Sequence, residues 1–284
     1  MKILITGASG ILGKTLTERL SKKYSVLGCD RNTLDITSLK QTSDVVQQFD
    51  PDVLIHAAAY TNVERAEEFP EEAITINVYG TLNLLESIQM RNCLFIYISS
   101  TGIYGLAKEN IPYTEYDAIV PTTQYHRSKY EGELLVQQHA RRFLILRTGW
   151  LFGGTIHQRK NFVYNRFLEA KDKTVLFADP VQRGNPTYVV DFSNQIEHLI
   201  LNRTLGTYNC VSHDPATRLE YIREIISIFG LNCEVRSIEG GKFQRIAPVS
   251  PNESALNYGL HLRGLNVMPS WQNSLRTYIK TLSI

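Results

Sequence analysis

The chain has 284 residues, 43% of them hydrophobic and 20% charged, with a formal net charge of +2. That length buries a substantial core without staples, and the near-neutral charge leaves no electrostatic footprint for nucleic acid. No apolar run reaches the roughly 20 residues that cross a bilayer, so the expectation is a cytoplasmic protein that engages neither nucleic acid nor membrane. Cys29, Cys93, Cys210 and Cys233 are widely spaced and the seven histidines are scattered, which supports neither a metal site nor a disulfide framework.

Residues 2–6 form a short apolar run that enters a glycine-rich turn, so they read as a first strand rather than a leader segment. Helical spacing follows through Ile11, Leu12, Leu16 and Leu20. Residues 24–29 and 53–58 read as further strands, with helical periodicity over 39–49 between them. A long helix is expected around 73–90, a strand at 94–99, a helix over 124–139 and a strand at 143–147. Strands alternating with helices predict an α/β fold, a Rossmann-type doubly wound parallel sheet. Beyond Gly153 the pattern loosens. Helices near 161–170, 189–201, 217–229 and 269–282, with strands at 208–211 and 233–238, suggest a smaller C-terminal lobe. The expected division is a dinucleotide-binding domain over 1–153, rejoined by 187–211, and a mainly substrate-binding lobe over 154–284.

Gly7, Gly10 and Gly13 sit between the first strand and the first helix. Their spacing suits a tight turn, close approach of a pyrophosphate and close helix–strand packing, with the helix N-terminus offering free N–H groups. Glycine spacing alone is weak, and context raises it. Asp30 closes the second strand, at about the distance expected of a carboxylate that takes a ribose 2′-hydroxyl. Arg31 beside it could accept a 2′-phosphate. The pair favours NAD(H) and leaves NADP(H) open.

Tyr125 and Lys129 lie four residues apart, on one face of a predicted helix. A nearby ammonium is expected to lower the phenol's pKa from its usual value of about 10 and make it a usable acid or base, while also holding ribose hydroxyls. His126, one position on, should face away from Tyr125. Ser99, Ser100 and Thr101 end the strand at 94–99, where a hydroxyl can polarise a substrate carbonyl. Each feature has a plain structural reading by itself. Together they converge on the carboxyl edge of one sheet.

These residues resemble the extended short-chain dehydrogenase/reductases, and among them most resemble the dTDP-4-dehydrorhamnose reductases. The likeness runs through Leu34-Asp35-Ile36, the stretch from Ala57 to Glu67, Asn77, Tyr125 to Lys129 with Gly132-Glu133, and Arg147-Thr148-Gly149-Trp150. It continues at Asn161-Phe162-Val163, Gly184, Pro186-Thr187 and Pro269-Ser270-Trp271, and so touches most of the chain. The resemblance implies Gly10, Ile11 and Leu12 on the pyrophosphate, Asp30 on the adenosine ribose, and Asp35 and Ile36 flanking the adenine. It puts Ala57, Ala58, Ala59, Tyr60 and Thr61 along the cofactor channel. Ser100 would be the catalytic hydroxyl, Thr101 its substrate-facing neighbour and Trp150 a wall of the sugar pocket.

The departures are informative. Where the family usually has Ser-Thr-Asp-Tyr-Val-Phe, this chain has Ser99-Ser100-Thr101-Gly102-Ile103-Tyr104. His56 stands for a usual asparagine, His126 for a usual glycine and Gly149 for a common serine. Related dehydratases carry an Asp-Glu pair that Thr101-Gly102 cannot supply. The implied function is NAD(P)H-dependent reduction of a keto group on a nucleotide-linked deoxysugar, in a chain compatible with a homodimer. The competing readings are a sugar-nucleotide epimerase and a non-catalytic dinucleotide-binding regulatory subunit.

Overall fold

The computed structural model describes residues 1–106, 108, 110–238 and 245–282. Six strands build the central sheet: β1 (Lys2–Thr6), β2 (Ser25–Cys29), β3 (Val53–His56), β4 (Leu94–Ser100), β5 (Phe143–Thr148) and β6 (Gly206–Asn209). They are all parallel, in the order β6-β5-β4-β3-β1-β2. Parallel strands are covered on both faces, and their short apolar runs alternate between two cores. Ile3, Ile5, Ile55 and Ile96 pack towards α1 (Ile11–Leu20). Leu4, Leu54, Phe95 and Tyr97 pack on the opposite side with Val46 of α2 (Leu39–Phe49) and Leu84 of α3 (Gly80–Ile88).

The chain runs outward from β1 to β2, then crosses back to β3 on the other side of β1. This reversal opens a crevice at the carboxyl ends of the strands. Register aligns those ends: Thr6 lies beside Cys29 and His56, and Ser100 beside Thr148.

The helical stretch before β4 is interrupted. Pro70–Ile74 is α-helical, Thr75–Tyr79 is a π-turn, and α3 resumes at Gly80. The wider turn puts the buried side chain of Asn77 where it serves the site. Helix α4 (Gln124–His139), capped by Thr123, leads into β5.

The remaining chain forms α5 (Phe162–Asp172), α6 (Val189–Leu201), α7 (Arg218–Phe229) and α8 (Trp271–Thr281). Helix α6 packs on α1, so residues 189–209 return to the sheet. Val175–Ala178 pairs with Glu234–Ser237, and Trp150–Phe152 with Pro186–Tyr188. Helix α7 begins in a capping box between Thr217 and Glu220, which fixes Arg218 at its first turn.

Candidate active site

The opening turn is shaped for a phosphate. Gly7 has φ of +71°, and a Cβ there would lie 2.7 Å from the Ala58 nitrogen; a Cβ on Gly13 would lie 2.1 Å from the Gly7 oxygen. The first turn of α1 has no side-chain cap at Gly10, so the N–H groups of Ile11, Leu12 and Gly13 stay free at the positive end of the helix. A dinucleotide diphosphate fits that cradle. The floor beneath it is His56, buried between Thr6 and Thr81. Thr81 donates to the Asn77 carbonyl and so accepts from His56 Nε2 at 3.1 Å; Nδ1 is left to accept from Thr6 at 2.8 Å. Burial, with the Lys129 charge adding to it, holds His56 neutral with its pKa down to about 3.

Asp30 ends β2 and folds onto its own turn, one oxygen accepting from Asn32 N, Thr33 N and the Thr33 hydroxyl. Arg31 is exposed and makes no ion pair among the described residues. Asp35 accepts from the hydroxyl and N–H of Thr37, which lowers its carboxyl pKa. Ile36, expected beside the adenine, is buried with its side chain against Gly80, and its carbonyl accepts from Asn83 Nδ2 at 3.0 Å.

Asn77 ties the segment after β3 to α4. Its Oδ1 accepts from Tyr60 N at 2.8 Å, while Nδ2 donates to Tyr60 O at 3.2 Å and to Ser128 Oγ at 2.9 Å. Lys129 follows Ser128. Its ammonium is buried, 4.1 Å from the centre of the Tyr97 ring. Burial, opposed by the Glu133 carboxylate, lowers its pKa to about 7. Behind it, Arg147 Nη2 pairs with Glu133 Oε2 at 2.8 Å, both side chains almost wholly buried.

Tyr125, Ser100, Trp150 and Thr61 line one cavity of about 480 Å³. Ser100 caps the short helix Thr101–Tyr104: its Oγ accepts from Gly102 N at 3.2 Å, which leaves its own hydrogen free to donate into the cavity. Burial, then the Glu253 carboxylate, raises the Tyr125 phenol to about 12. The expected lowering of this phenol by Lys129 is therefore corrected, because desolvation dominates and the ammonium lies over Tyr97 instead. Two further expectations need correction. Thr101 does not line the cavity; it is buried, its hydroxyl 3.5 Å from the Thr148 carbonyl. His126 does line it, because the first turn of α4 forms the cavity floor and adjacent side chains both reach it, their ring centroids 4.9 Å apart.

Sequence reasoning placed Trp150 at the sugar pocket but missed the residues that surround it there. Trp150 Nε1 donates to Glu253 Oε2 at 2.7 Å, and the Arg218 guanidinium stacks 3.4 Å from the centre of the Trp150 ring. Arg218 donates to Gln182 at 3.3 Å and makes no carboxylate ion pair among the described residues. Burial lowers its pKa to about 10, with Glu253 opposing, so it stays cationic at neutral pH. Lys160 and Arg245 add positive charge at the same cavity. No sequence motif marked Gln182, Arg218, Arg245 or Glu253.

The model of the RmlD substrate binding domain family matches residues 1–284. The chain belongs to that family. A dTDP-4-dehydrorhamnose reductase of Aggregatibacter actinomycetemcomitans is 35% identical over 224 residues, 74% of this chain and 75% of that one. The crystal structure of a dTDP-4-dehydrorhamnose reductase from Clostridium acetobutylicum superposes with a TM-score of 0.95 at 30% identity, covering 100% of both chains. That of the Bacillus anthracis reductase in complex with NADP gives 0.93 at 31% identity, covering 98% of each chain. Gly102 and His126, two of the positions at which the sequence differs from the pattern its resemblance implies, meet in space. A Cβ on residue 102 would fall 2.1 Å from His126 Nε2, so the glycine leaves the room that the ring occupies. Among the described residues no helix is long and apolar enough to cross a membrane, and no group of His, Cys, Asp and Glu could hold a metal ion.

Proposed function

We propose that this chain reduces a keto group on a nucleotide-linked deoxysugar, with NADH or NADPH as the electron source. The observation that carries the reading is one cavity lined by the Tyr125 phenol, the Ser100 hydroxyl and the Arg218 cation, which has no carboxylate ion-pair partner among the described residues. The phenol and hydroxyl suit a carbonyl oxygen, and the guanidinium suits a diphosphate. A dinucleotide held at the glycine turn would supply a hydride to the carbonyl carbon. As that C–H bond forms, the C=O π pair moves to oxygen, which takes the Tyr125 proton. Ser100 donates to the same oxygen and orients it. A phenol raised to about 12 is protonated at neutral pH, the form that reduction requires. Loss of reduced-nicotinamide absorbance with a panel of 4-keto sugar nucleotides tests the reading; no turnover with any of them would count against it.

Lys129, buried without an acceptor for its protons among the described residues, would hold the hydroxyls of the nicotinamide ribose. Binding then favours its charged form and takes up a proton wherever the free side chain is deprotonated. Cofactor affinity should accordingly fall by up to about tenfold per pH unit above about pH 7 and be flat below it. Fluorescence titration of the reduced cofactor from about pH 6 to 9 checks this; a flat profile above pH 7 would contradict it. Arg218→Met should raise KM for the sugar nucleotide by about 10–100-fold, through lost charge-assisted hydrogen bonds, with a much smaller change in kcat.

A further inference from the structure

The Gly102–His126 contact has a chemical consequence. The Thr123 Oγ accepts from the His126 backbone N–H at 3.1 Å and lies 2.9 Å from His126 Nδ1. Thr123 is fully buried, and Nδ1 is the acceptor within reach of its hydroxyl hydrogen among the described residues. The hydroxyl therefore donates to Nδ1, which puts the ring proton on Nε2. Burial keeps the imidazole neutral by lowering its pKa, against the opposing pull of the Glu253 and Glu67 carboxylates. Nε2 has no hydrogen-bond partner among the described residues, and the ring lines the same cavity as Tyr125 and Ser100. Gly102 supplies the space that the ring occupies. A single oriented N–H beside the reacting groups is a recognition element.

We propose that His126 is a specificity-determining residue whose Nε2–H donates to an oxygen of the substrate sugar next to the reacting carbonyl. This rests on the cavity being a sugar-nucleotide site. Discrimination then falls on the sugar and leaves the nucleotide untouched, since the diphosphate is met by a different residue, Arg218. An N–H fixed by Thr123 selects a sugar with an acceptor at that position and rejects its deoxy or oppositely configured counterpart, because the donor would then stay unmade.

Calorimetry with two probes, dTDP and a dTDP-linked 6-deoxyhexose, tests this on the full chain with cofactor present. His126→Phe keeps a ring and removes the donor, whereas His126→Gln returns an amide N–H near the place of Nε2. The phenylalanine variant should bind the sugar nucleotide about 5–100-fold more weakly and dTDP within about twofold of wild type. The glutamine variant should recover most of the loss. Nitrogen NMR of the free protein should find the His126 proton on Nε2. Equal losses for both probes, unchanged affinity for the sugar nucleotide, or a proton on Nδ1 would each overturn the proposal. A wild-type protein that shows the His126-dependent preference and never oxidises cofactor would refute the reductase reading and leave the histidine's role standing.

Discussion

Tyr125→Phe should lower kcat by about 10²–10⁴-fold while leaving thermal stability and cofactor affinity close to wild type. The size follows from what the phenol does: it supplies the proton that neutralises oxygen as the carbonyl is reduced. The selectivity follows from its surroundings. The Tyr125 hydroxyl faces the cavity and makes no hydrogen bond to a described residue, so its removal strands no buried partner. Ser100 remains to polarise the carbonyl, and water can deliver a proton slowly, so activity should not vanish. Single-turnover kinetics isolates the step. The pH profile is a second readout: with the phenol raised to about 12, wild-type reduction should show no loss from phenol ionisation between about pH 6 and 9. A kcat within threefold of wild type for the phenylalanine variant would remove Tyr125 from the chemistry.

Glu133→Ala should destabilise the fold by about 3–5 kcal/mol, because it leaves the Arg147 guanidinium buried without its counter-charge. Arg147 meets Glu133 at 2.8, 3.1 and 3.2 Å, and its Nη1 donates to Tyr104 at 2.9 Å. Tyr104 in turn donates to Asn209 Oδ1 at 2.8 Å. The network thereby links α4, β5, the turn after β4 and β6. Glu133 is one helical turn beyond Lys129, so the same contacts set the height of the catalytic helix on the sheet. A fall in Tm of roughly 6–20 °C is the expected scale. The double variant Glu133→Leu with Arg147→Met should recover most of the stability, since replacing both charges by apolar groups avoids the uncompensated cation. Denaturant unfolding of Glu133→Leu, Arg147→Met and the double variant measures the coupling. If Glu133→Ala unfolds within 1 kcal/mol of wild type, the pair is not the clamp described.

Much of this architecture was legible in the chain. Apolar runs and helical periodicity gave the strands and helices of the sheet, and residues 124–139 and 189–201 fall on α4 and α6. The π-turn at Thr75–Tyr79 was not legible, because one extra residue in a turn leaves the helical pattern almost unchanged; its purpose, the reach of Asn77, exists only in three dimensions. On the site, Tyr125, Ser100 and Trp150 come together at one cavity, whereas Thr101 and the side chain of Ile36 turn into the core. The chain changes from strand to short helix between Ser100 and Thr101, and that turn carries Thr101 into the core while Ser100 stays at the cavity. Adjacent helical residues were expected to diverge, yet His126 reaches the cavity beside Tyr125, both from the first turn of α4. Arg218 and Glu253 come from chain segments about 90 and 130 residues beyond Tyr125, and no local spacing links them to it. Their chemistry emerges only in three dimensions, where both line the same cavity as Tyr125.

The central claim is net hydride transfer to a sugar-nucleotide ketone, and isotopic labelling of that transfer tests it most directly. With cofactor carrying deuterium at the transferring position and a 4-keto-6-deoxy sugar nucleotide, mass spectrometry and proton NMR of the product should find one deuterium on the former carbonyl carbon, with matching cofactor oxidation. Epimerised sugar formed with no net oxidation of the cofactor, or a ketone returned unlabelled under conditions where both ligands bind, would contradict it.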